Sequence, residues 1–498
     1  MNELERKKAL NRNIKVISAV ILALFVGIMG YMLYFHGVLA EEIAAKPGNV
    51  REQAKRNEIL RGTIFDRNGK VLTYSERQAD NTQKRIYQGA EAFAQVLGYE
   101  QRNTVTGLEY ALDDILTKDE FVFDFSKEGF LEMLKDPSSI LNRTKEGNSV
   151  VTTLDQELQW RAYDLLGDEL GEKGAIVAMN PKTGEILAMV NRPSYDPNGL
   201  KENYASLNEK QYDDGVFLNT AARGSYAPGS TYKIITLLAA LEKLDGIEER
   251  TFKDNGKLDV NVGKDLPNVN GTIHGNIKLK EAFAVSSNVV FGTLAIELGG
   301  ESLAEVAERF GFNKEQSFPF LNMSTSKAPK YPKNEDGALA ASGVGQTGVS
   351  ASPLQMAMVA SAIANDGNLM TPMMVNSVLK YDGTQKEKFE PKLYNTVADT
   401  ETAQTVKTYM KNNVDTSRNE TMKALAKLRG AGKTGTAQDF YQKTDGTKIE
   451  VVNSWFVGFA PYEDPQIAVA VVVLDGGSGG GKAASIATEL MRWYTENR

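Results

Sequence analysis

The sequence predicts an α+β protein: an antiparallel sheet flanked by helices and interrupted by an inserted helical subdomain, with a small N-terminal domain and one transmembrane helix ahead of it. Three observations carry this expectation. Short apolar strands come early, at 174–179 and 185–191, and three more come late, with a mostly helical stretch from Ser230 to about Asp366 between the two groups. Residues 16–35 are twenty in a row without a charge. Residues 37–148 are charged or mixed and polar, read as a small domain, and show no repeat with a period of about 20–50 residues.

Composition narrows the chemistry. None of the 498 residues is cysteine, which removes thiol catalysis, disulfides, thiolate metal sites and a lipid-modified cysteine. The histidines are His36, at the end of the apolar run, and His274, in a polar stretch that reads as a loop. A Ser-His-Asp triad would rest on His274 alone, and a zinc site is hard to assemble from two imidazoles. No cofactor is expected, and for a nucleophilic serine lysine is favoured over His274 as the base. The net charge of −7 gives no nucleic-acid footprint.

Taken in order, the elements begin with the apolar run. At about 1.5 Å per residue it spans roughly 30 Å, the thickness of a bilayer's hydrocarbon. Tyr31, Tyr34 and Phe35 gather at one end, and Arg6, Lys7, Lys8, Arg12 and Lys15 stand before it against Glu3 and Glu5. That flank predicts a cytoplasmic tail over 1–15, a membrane helix over 16–35 and an external remainder. A signal peptide cleaved after Val38-Leu39-Ala40 is the rival reading, though signal cores are usually only about 7–15 residues long.

A charged helix is expected over 37–60. Asn68-Gly69, between apolar pairs, predicts a hairpin whose two central residues take positive φ. Gly107-Leu108-Glu109 opens a helical run. A boundary near Glu146-Gly147-Asn148 divides an N-terminal non-catalytic domain, 36–148, from a catalytic domain, 149–498. Thr153-Leu154-Asp155-Gln156 fits a capping box that starts a helix running to about residue 170. Asn180-Pro181-Lys182-Thr183-Gly184 is a turn between the early strands. The late strands include 454–460 and 467–474, and a last helix covers about 483–495. The active site is expected where the sheet meets the inserted helices.

Three motifs stand in order: Ser230-Thr231-Tyr232-Lys233, Ser286-Ser287-Asn288 and Lys433-Thr434-Gly435. Each recurs elsewhere, as at Ser324–Lys327, Ser377–Lys380, Ser206–Asn208, Ser417–Asn419 and Lys182–Gly184, so context decides. Pro228-Gly229 breaks the chain before Ser230, and Ile234, Ile235, Leu237, Leu238 and Leu241 then recur at helical spacing. Ser230 and Lys233 therefore share a face in a helix's first turn, where the helix field disfavours an ammonium and a desolvated lysine accepts the serine proton. Read blandly, Ser230 is a cap and Lys233 a solvated residue.

Ser286-Ser287-Asn288 interrupts an apolar stretch. Ser286 could relay a proton and Asn288 hold a substrate amide, or the segment is simply a turn between two helices. Lys433-Thr434-Gly435-Thr436 reads as an edge strand against which a substrate backbone can lie, with Lys433 and Thr434 facing a carboxylate. The backbone amides of Ser230 and Thr436 could form an oxyanion hole. A surface strand with a solvated lysine is the plain alternative. The stretch 476–482 fits a phosphate-loop pattern, but Ala483 stands where the magnesium-binding hydroxyl belongs.

In the wording of these motifs the chain resembles a class B penicillin-binding protein, with the penicillin-binding transpeptidase, β-lactamase-like fold. Arg61-Gly62 through Asp66-Arg67-Asn68-Gly69, Gly107-Leu108-Glu109, Gly343-Val344-Gly345-Gln346 and Ser352-Pro353-Leu354-Gln355 extend the similarity over almost the whole sequence. The resemblance implies a peptidoglycan D,D-transpeptidase. Ser230 would form an acyl-enzyme with release of D-Ala, Lys233 would take its proton, and Ser286 with Lys433 would protonate the leaving amine. Asn288, Thr434, Gly435 and Thr436 would bind substrate. It also implies stem peptides as substrates, acylation by β-lactams, and a membrane-embedded glycan polymerase as partner. A D,D-carboxypeptidase and a non-enzymatic β-lactam sensor are the alternatives.

Overall fold

The structure is a computed structural model that describes residues 3–35, 58–80, 82–101, 104–119, 145–167, 173–442, 447–477 and 481–497. His36, the cleavage motif at 38–40, nearly all of the charged stretch 37–60 and the end of the helix expected to reach 170 lie outside them. The chain divides into two compact units, Met1–Ile59 with Gln78–Thr82, and Leu60–Arg77 with Gln83–Arg498. The first holds helix α1 (Glu3–Tyr34), of which Asn11–Met32 is long and apolar enough to cross a membrane and is unburied.

The second unit opens with β1 (Ile64–Phe65), β2 (Val71–Arg77) and β3 (Gln83–Tyr87), followed by α2 (Ala90–Leu97) and α3 (Gly107–Ala111). After β4 (Ser149–Thr152) comes α4 (Gln156–Leu165), then the hairpin β5 (Lys173–Met179) and β6 (Ile186–Arg192). The inserted helices include α5 (Lys233–Lys243), α6 (Leu279–Ala284), α7 (Asn288–Arg309) and α8 (Pro353–Ala364). The chain closes through β7 (Val375–Leu379), β8 (Gln385–Lys388), α9 (Thr400–Asp415), β9 (Ala431–Gln442), β10 (Lys448–Ala460), β11 (Ile467–Leu474) and α10 (Lys482–Glu496).

The central sheet has the order β6-β5-β11-β10-β9 and is antiparallel throughout, two early strands and three late ones as expected. Alternate residues feed two cores. Ala175, Val177, Val457, Ala470 and Val472 pack with the wholly buried α8 on one face. Ile176, Ala178, Phe456, Val469 and Val471 pack with α4 and α10 on the other. Covered on both faces, these strands read as unbroken apolar runs, which is why the sequence shows them so clearly.

A six-stranded sheet, β8-β7-β4-β1-β2-β3, holds strands from both sides of residue 148. In it β4 runs parallel to β1 and antiparallel to β7. The β1–β2 hairpin forms, but its turn is not the tight one expected. Gly69 takes φ of 80°, Asn68 does not take positive φ, and the Asp66 carboxylate accepts from the amides of Asn68 and Lys70 at 2.8 Å each. An aspartate whose side chain closes the loop needs one left-handed residue rather than two. The cap of α4 also differs. Asp155 accepts from the amides of Glu157 and Leu158, whereas the hydroxyl of Thr153 is buried 2.8 Å from the carbonyls of Ile186 and Met373.

The two N-terminal motifs meet in an ionic cluster. The Glu109 carboxylate, fully buried on α3, receives Arg61 Nε and Arg85 Nε at 2.7 Å each, and its carbonyl receives Arg61 Nη2 at 2.6 Å. Gly62 passes so close that a β-carbon there would stand 1.9 Å from the Asn148 carbonyl. Glu109→Ala strips the carboxylate from two buried guanidiniums, so it should destabilise the chain by about 3–5 kcal/mol in denaturant unfolding. Glu297→Ala, which breaks the exposed pair with Arg250, should cost under about 1 kcal/mol in the same measurement.

Candidate active site

Ser230 and Lys233 lie at the junction of a 3₁₀ turn, Gly229–Tyr232, with α5. The expectation of an α-helical first turn is corrected to this tighter winding, in which residues three apart eclipse one another. The turn is fixed from three sides. The Thr231 hydroxyl donates to the Pro228 carbonyl at 2.8 Å, and the Gly229 amide donates to the Gly345 carbonyl at 2.9 Å. Gly345 has φ of 77°, and a β-carbon on it would stand 2.1 Å from the Gly229 carbonyl, so the chain there can only be glycine. On the far side the turn lies against β9. A β-carbon on Gly435 would meet the Pro228 carbonyl at 2.8 Å, and one on Gly229 the Thr436 carbonyl at 2.5 Å. Ser230 is half-buried and follows Gly229, the residue that lies against the Thr436 carbonyl.

The second motif is the turn between α6 and α7. Ser286 takes φ of 58°, rare for a residue with a β-carbon, and Ser287 caps α7 by accepting from the Val290 amide at 3.0 Å. Lys233, wholly buried, places its Nζ within hydrogen-bonding distance of three oxygens of this turn: the Ser286 carbonyl at 2.7 Å, the Asn288 Oδ1 at 2.8 Å and the Ser286 Oγ at 3.2 Å. Lys433 comes from β9 and donates to the same Ser286 Oγ at 3.0 Å and to the Thr434 carbonyl at 3.1 Å. The Ser286 hydroxyl thus sits between two buried amines. Phe291 and Phe283 offer ring faces to them, at 5.5 Å from Lys233 Nζ and 5.8 Å from Lys433 Nζ.

Burial pushes Lys233 well below the ordinary lysine range, the neighbouring Lys433 pushes it further, and Asp254 partly offsets both. Burial alone brings Lys433 down to about 7. Two ammonium groups this close disfavour each other, and the one pushed lower gives up its proton first. The arrangement therefore holds a neutral amine at Lys233, able to accept a proton, beside a Lys433 that keeps its charge to near neutrality.

Lys433 and Gly435 alternate onto one face of β9, opposite Val457 and Trp455, and Gly435 touches the Ser230 turn. Thr434 is half-buried and Thr436 exposed. As the sheet's edge strand, β9 offers a backbone edge on which an extended peptide can lie. Asn288 is clamped at both ends, receiving Lys233 on Oδ1 and donating Nδ2 to the Pro267 carbonyl at 2.8 Å. It thus has a structural duty in addition to the substrate contact expected of it.

The competing motifs fall elsewhere. Ser324–Lys327 lies in a loop and Ser377 on β7. Lys182 is exposed in the β5–β6 turn, and Ser206 sits within the helix Leu200–Asp214. His274 is a loop residue. Sequence reading missed Gly345 as the prop of the serine turn, and it missed Asp254 and Asn268 behind Ser287. Gly345 stands within Gly343-Val344-Gly345-Gln346, where nothing local in the sequence marks its contact with Gly229. Asp254-Asn255-Gly256 reads as an ordinary turn and carries no signal for a site.

A family model described as the penicillin binding protein transpeptidase domain matches residues 174–492, and one described as the penicillin binding protein A dimerisation domain matches 61–150. The peptidoglycan D,D-transpeptidase PbpA of Mycolicibacterium smegmatis is 31% identical over 96% of this chain and 97% of its own. Penicillin-binding protein A from M. tuberculosis, solved as its imipenem acyl-enzyme complex, superposes with a TM-score of 0.77 at 28% identity, covering 88% of this chain and 99% of that one. The D,D-transpeptidase domain of a peptidoglycan glycosyltransferase from Eggerthella lenta does so with a TM-score of 0.75 at 32% identity, covering 88% and 99%. Matched in order by both domain models, and over nearly all of a relative's length, the chain belongs to the class B penicillin-binding proteins.

Proposed function

We propose that this protein is a membrane-anchored serine D,D-transpeptidase that crosslinks peptidoglycan stem peptides through an acyl-enzyme on Ser230. The observation that carries this reading is the Ser286 hydroxyl held between the buried amines of Lys233 and Lys433, beside the turn that presents Ser230. Its relatives support it: the one from M. smegmatis is named a peptidoglycan D,D-transpeptidase, and the one from M. tuberculosis forms acyl-enzymes with imipenem and penicillin G.

In this reading the stem peptide lies along β9 with its terminal carboxylate toward Lys433 and Thr434. Ser230 Oγ attacks the carbonyl of the D-Ala-D-Ala bond, and its proton passes to neutral Lys233. The amides of Ser230 and Thr436 hold the oxyanion, the kind of donor whose loss typically costs about 10²–10³-fold in rate. The C–N bond breaks, the departing amine takes a proton through Ser286 with Lys433 behind it, and D-Ala leaves. The amine of a second stem peptide then attacks the ester. A new amide forms, Ser230 regains its proton, and two strands are joined. A β-lactam follows the first half of this course and remains on Ser230.

The proposal extends to organisation. Residues 1–15 face the cytoplasm, 16–35 cross the membrane, 36–148 form the non-catalytic region, and 149–498 form the transpeptidase region outside. The basic flank ahead of the apolar run supports that orientation. A membrane-embedded glycan polymerase, supplying new glycan strands, is the partner such an anchored crosslinker needs.

Labelled penicillin should form a stable adduct with the wild-type chain and none with Ser230→Ala, read by intact mass. Lys233→Ala should lower the acylation rate constant by about 10²–10⁴-fold while the chain still folds. An undiminished adduct on Ser230→Ala would remove the nucleophile. The pH profile supplies a second check. Lys433 carries its charge below about pH 7 and loses it above, so carboxylate capture, and with it the second-order acylation rate constant, should decline as pH rises past 7. The acid limb, where Lys233 becomes protonated and ceases to be a base, should lie far below the ordinary lysine range. A rate constant that climbs steadily to pH 9 would show that the charge on Lys433 is not used.

A further inference from the structure

The turn that carries Ser286 and Asn288 is held from behind by a carboxylate that the mechanism above does not use. Asp254 ends the strand Thr251–Asp254 and is wholly buried. It accepts from the Ser287 hydroxyl at 2.6 Å, from Asn268 Nδ2 at 2.8 and 2.9 Å, and from the Gly256 amide at 2.9 Å. Asn268 in turn accepts from the amides of Asn288 at 2.7 Å and Val289 at 3.2 Å, and it donates to the Thr272 carbonyl at 2.8 Å. With Ser287 taking the Val290 amide, the first three amides of α7 are all satisfied by side chains that Asp254 fixes. The positive end of that helix suits the charge. Burial alone would raise the proton affinity of Asp254, but the bonds from Ser287, Asn268 and Gly256, together with His274, bring it below the usual carboxylate range.

We propose that Asp254 is a positioning residue for acylation: through Ser287 and Asn268 it sets the turn so that Ser286 and Asn288 meet Lys233, and it lends the pocket a fixed negative charge. The proposal rests on the transpeptidase reading given above. The charged and titratable groups facing Lys233 are Lys433 on β9 and Asp254 behind the turn, with His274 beside Asp254. Ser286, Asn288 and Phe291 face it without charge. A negative Asp254 favours the protonated form of Lys233, so its loss moves the acid limb of acylation to lower pH.

The test is the second-order rate constant for labelled penicillin on the full-length, detergent-solubilised chain, measured across pH. Asp254→Asn removes the charge and places an amide N–H where the partners all donate. It should lower the rate constant by up to about 10²-fold and displace the acid limb to lower pH. Ser287→Ala keeps the charge and loses two bonds, the one donated to Asp254 and the one accepted from the Val290 amide, so it should slow acylation and leave the limb in place. Asp254→Glu should return the limb to its wild-type position. A wild-type rate and limb in Asp254→Asn, or a rate reduced equally at every pH with the limb unmoved, would overturn the role. Should Asp254→Asn fail to fold, Ser287→Ala decides: labelling at the wild-type rate overturns the role, and slowed labelling supports it. Ser230→Ala is run alongside. Wild-type labelling that vanishes in it, with Asp254 variants behaving as wild type, defeats this inference alone. A wild-type chain that takes no adduct on Ser230 defeats both.

Discussion

The structure depends on two lysine side chains being buried around one serine hydroxyl. Lys233 and Lys433 are 0% and 1% exposed, and both reach the Ser286 Oγ. Moving an ammonium out of water costs several kcal/mol even after relaxation, and a second one nearby adds repulsion. A lysine escapes that cost by giving up its proton. The same burial that makes the pocket unfavourable for charge is therefore what makes an amine available as a base. The surroundings meet what charge remains: Asp254 on one side, the faces of Phe283 and Phe291 on others, and carbonyls from Ser286 and Thr434 at the amines themselves.

Such a pocket needs walls that do not yield. The three motifs come from three separate elements, so their meeting is a matter of how two layers pack. The five-stranded sheet is covered by α8 on one face and by α4 and α10 on the other, which fixes β9 in place. The serine turn is pressed onto β9 through Gly229 and Gly435, and it is backed by Gly345. At each of these positions a side chain would separate backbones that must touch. The site is a seam between sheet edge and helical insert, held by close backbone contact rather than by large side chains.

Much of this was legible in the sequence because the relevant signals are local. Strands covered on both faces give continuous apolar runs, and Pro228-Gly229 followed by apolar residues at helical spacing marks the start of α5. The three motifs could be separated from their duplicates by context: Lys182 lies in a polar turn, whereas Lys433 precedes buried strands. What stayed hidden depends on contacts between distant segments. The importance of Asp254 arises from Ser287, 33 residues away, and from Asn268, 14 residues away. Gly345 matters because of Gly229, far behind it in the chain. The Asn68-Gly69 dipeptide alone predicts a tight turn, and the Asp66 side chain gives the loop another form. The α4 cap moved from Thr153 to Asp155 because Thr153 was already committed to carbonyls of Ile186 and Met373.

The N-terminal motifs answer a different need, and the contacts around them say which. Arg61, Arg85 and Glu109 form a buried ionic cluster far in sequence from Ser230, Ser286 and Lys433. Yet the hairpin beside it is tied to the region that holds the central sheet. The Asp66 carboxylate accepts from the Gln156 amide at the start of α4, and the Arg67 amide donates to the Leu154 carbonyl. Gln159, buried on α4, then donates to the carbonyls of Ala92 on α2 and Met189 on β6 and accepts from the Met189 amide. A path of side chains paired to backbone thus runs from the N-terminal hairpin into the central sheet that positions β9. Buried hydrogen bonds of this kind are costly to leave half-made, so the two regions share one packing arrangement rather than meeting through a loose joint. Residue 148 marks no mechanical division, since β4, immediately after it, completes a sheet with strands from either side.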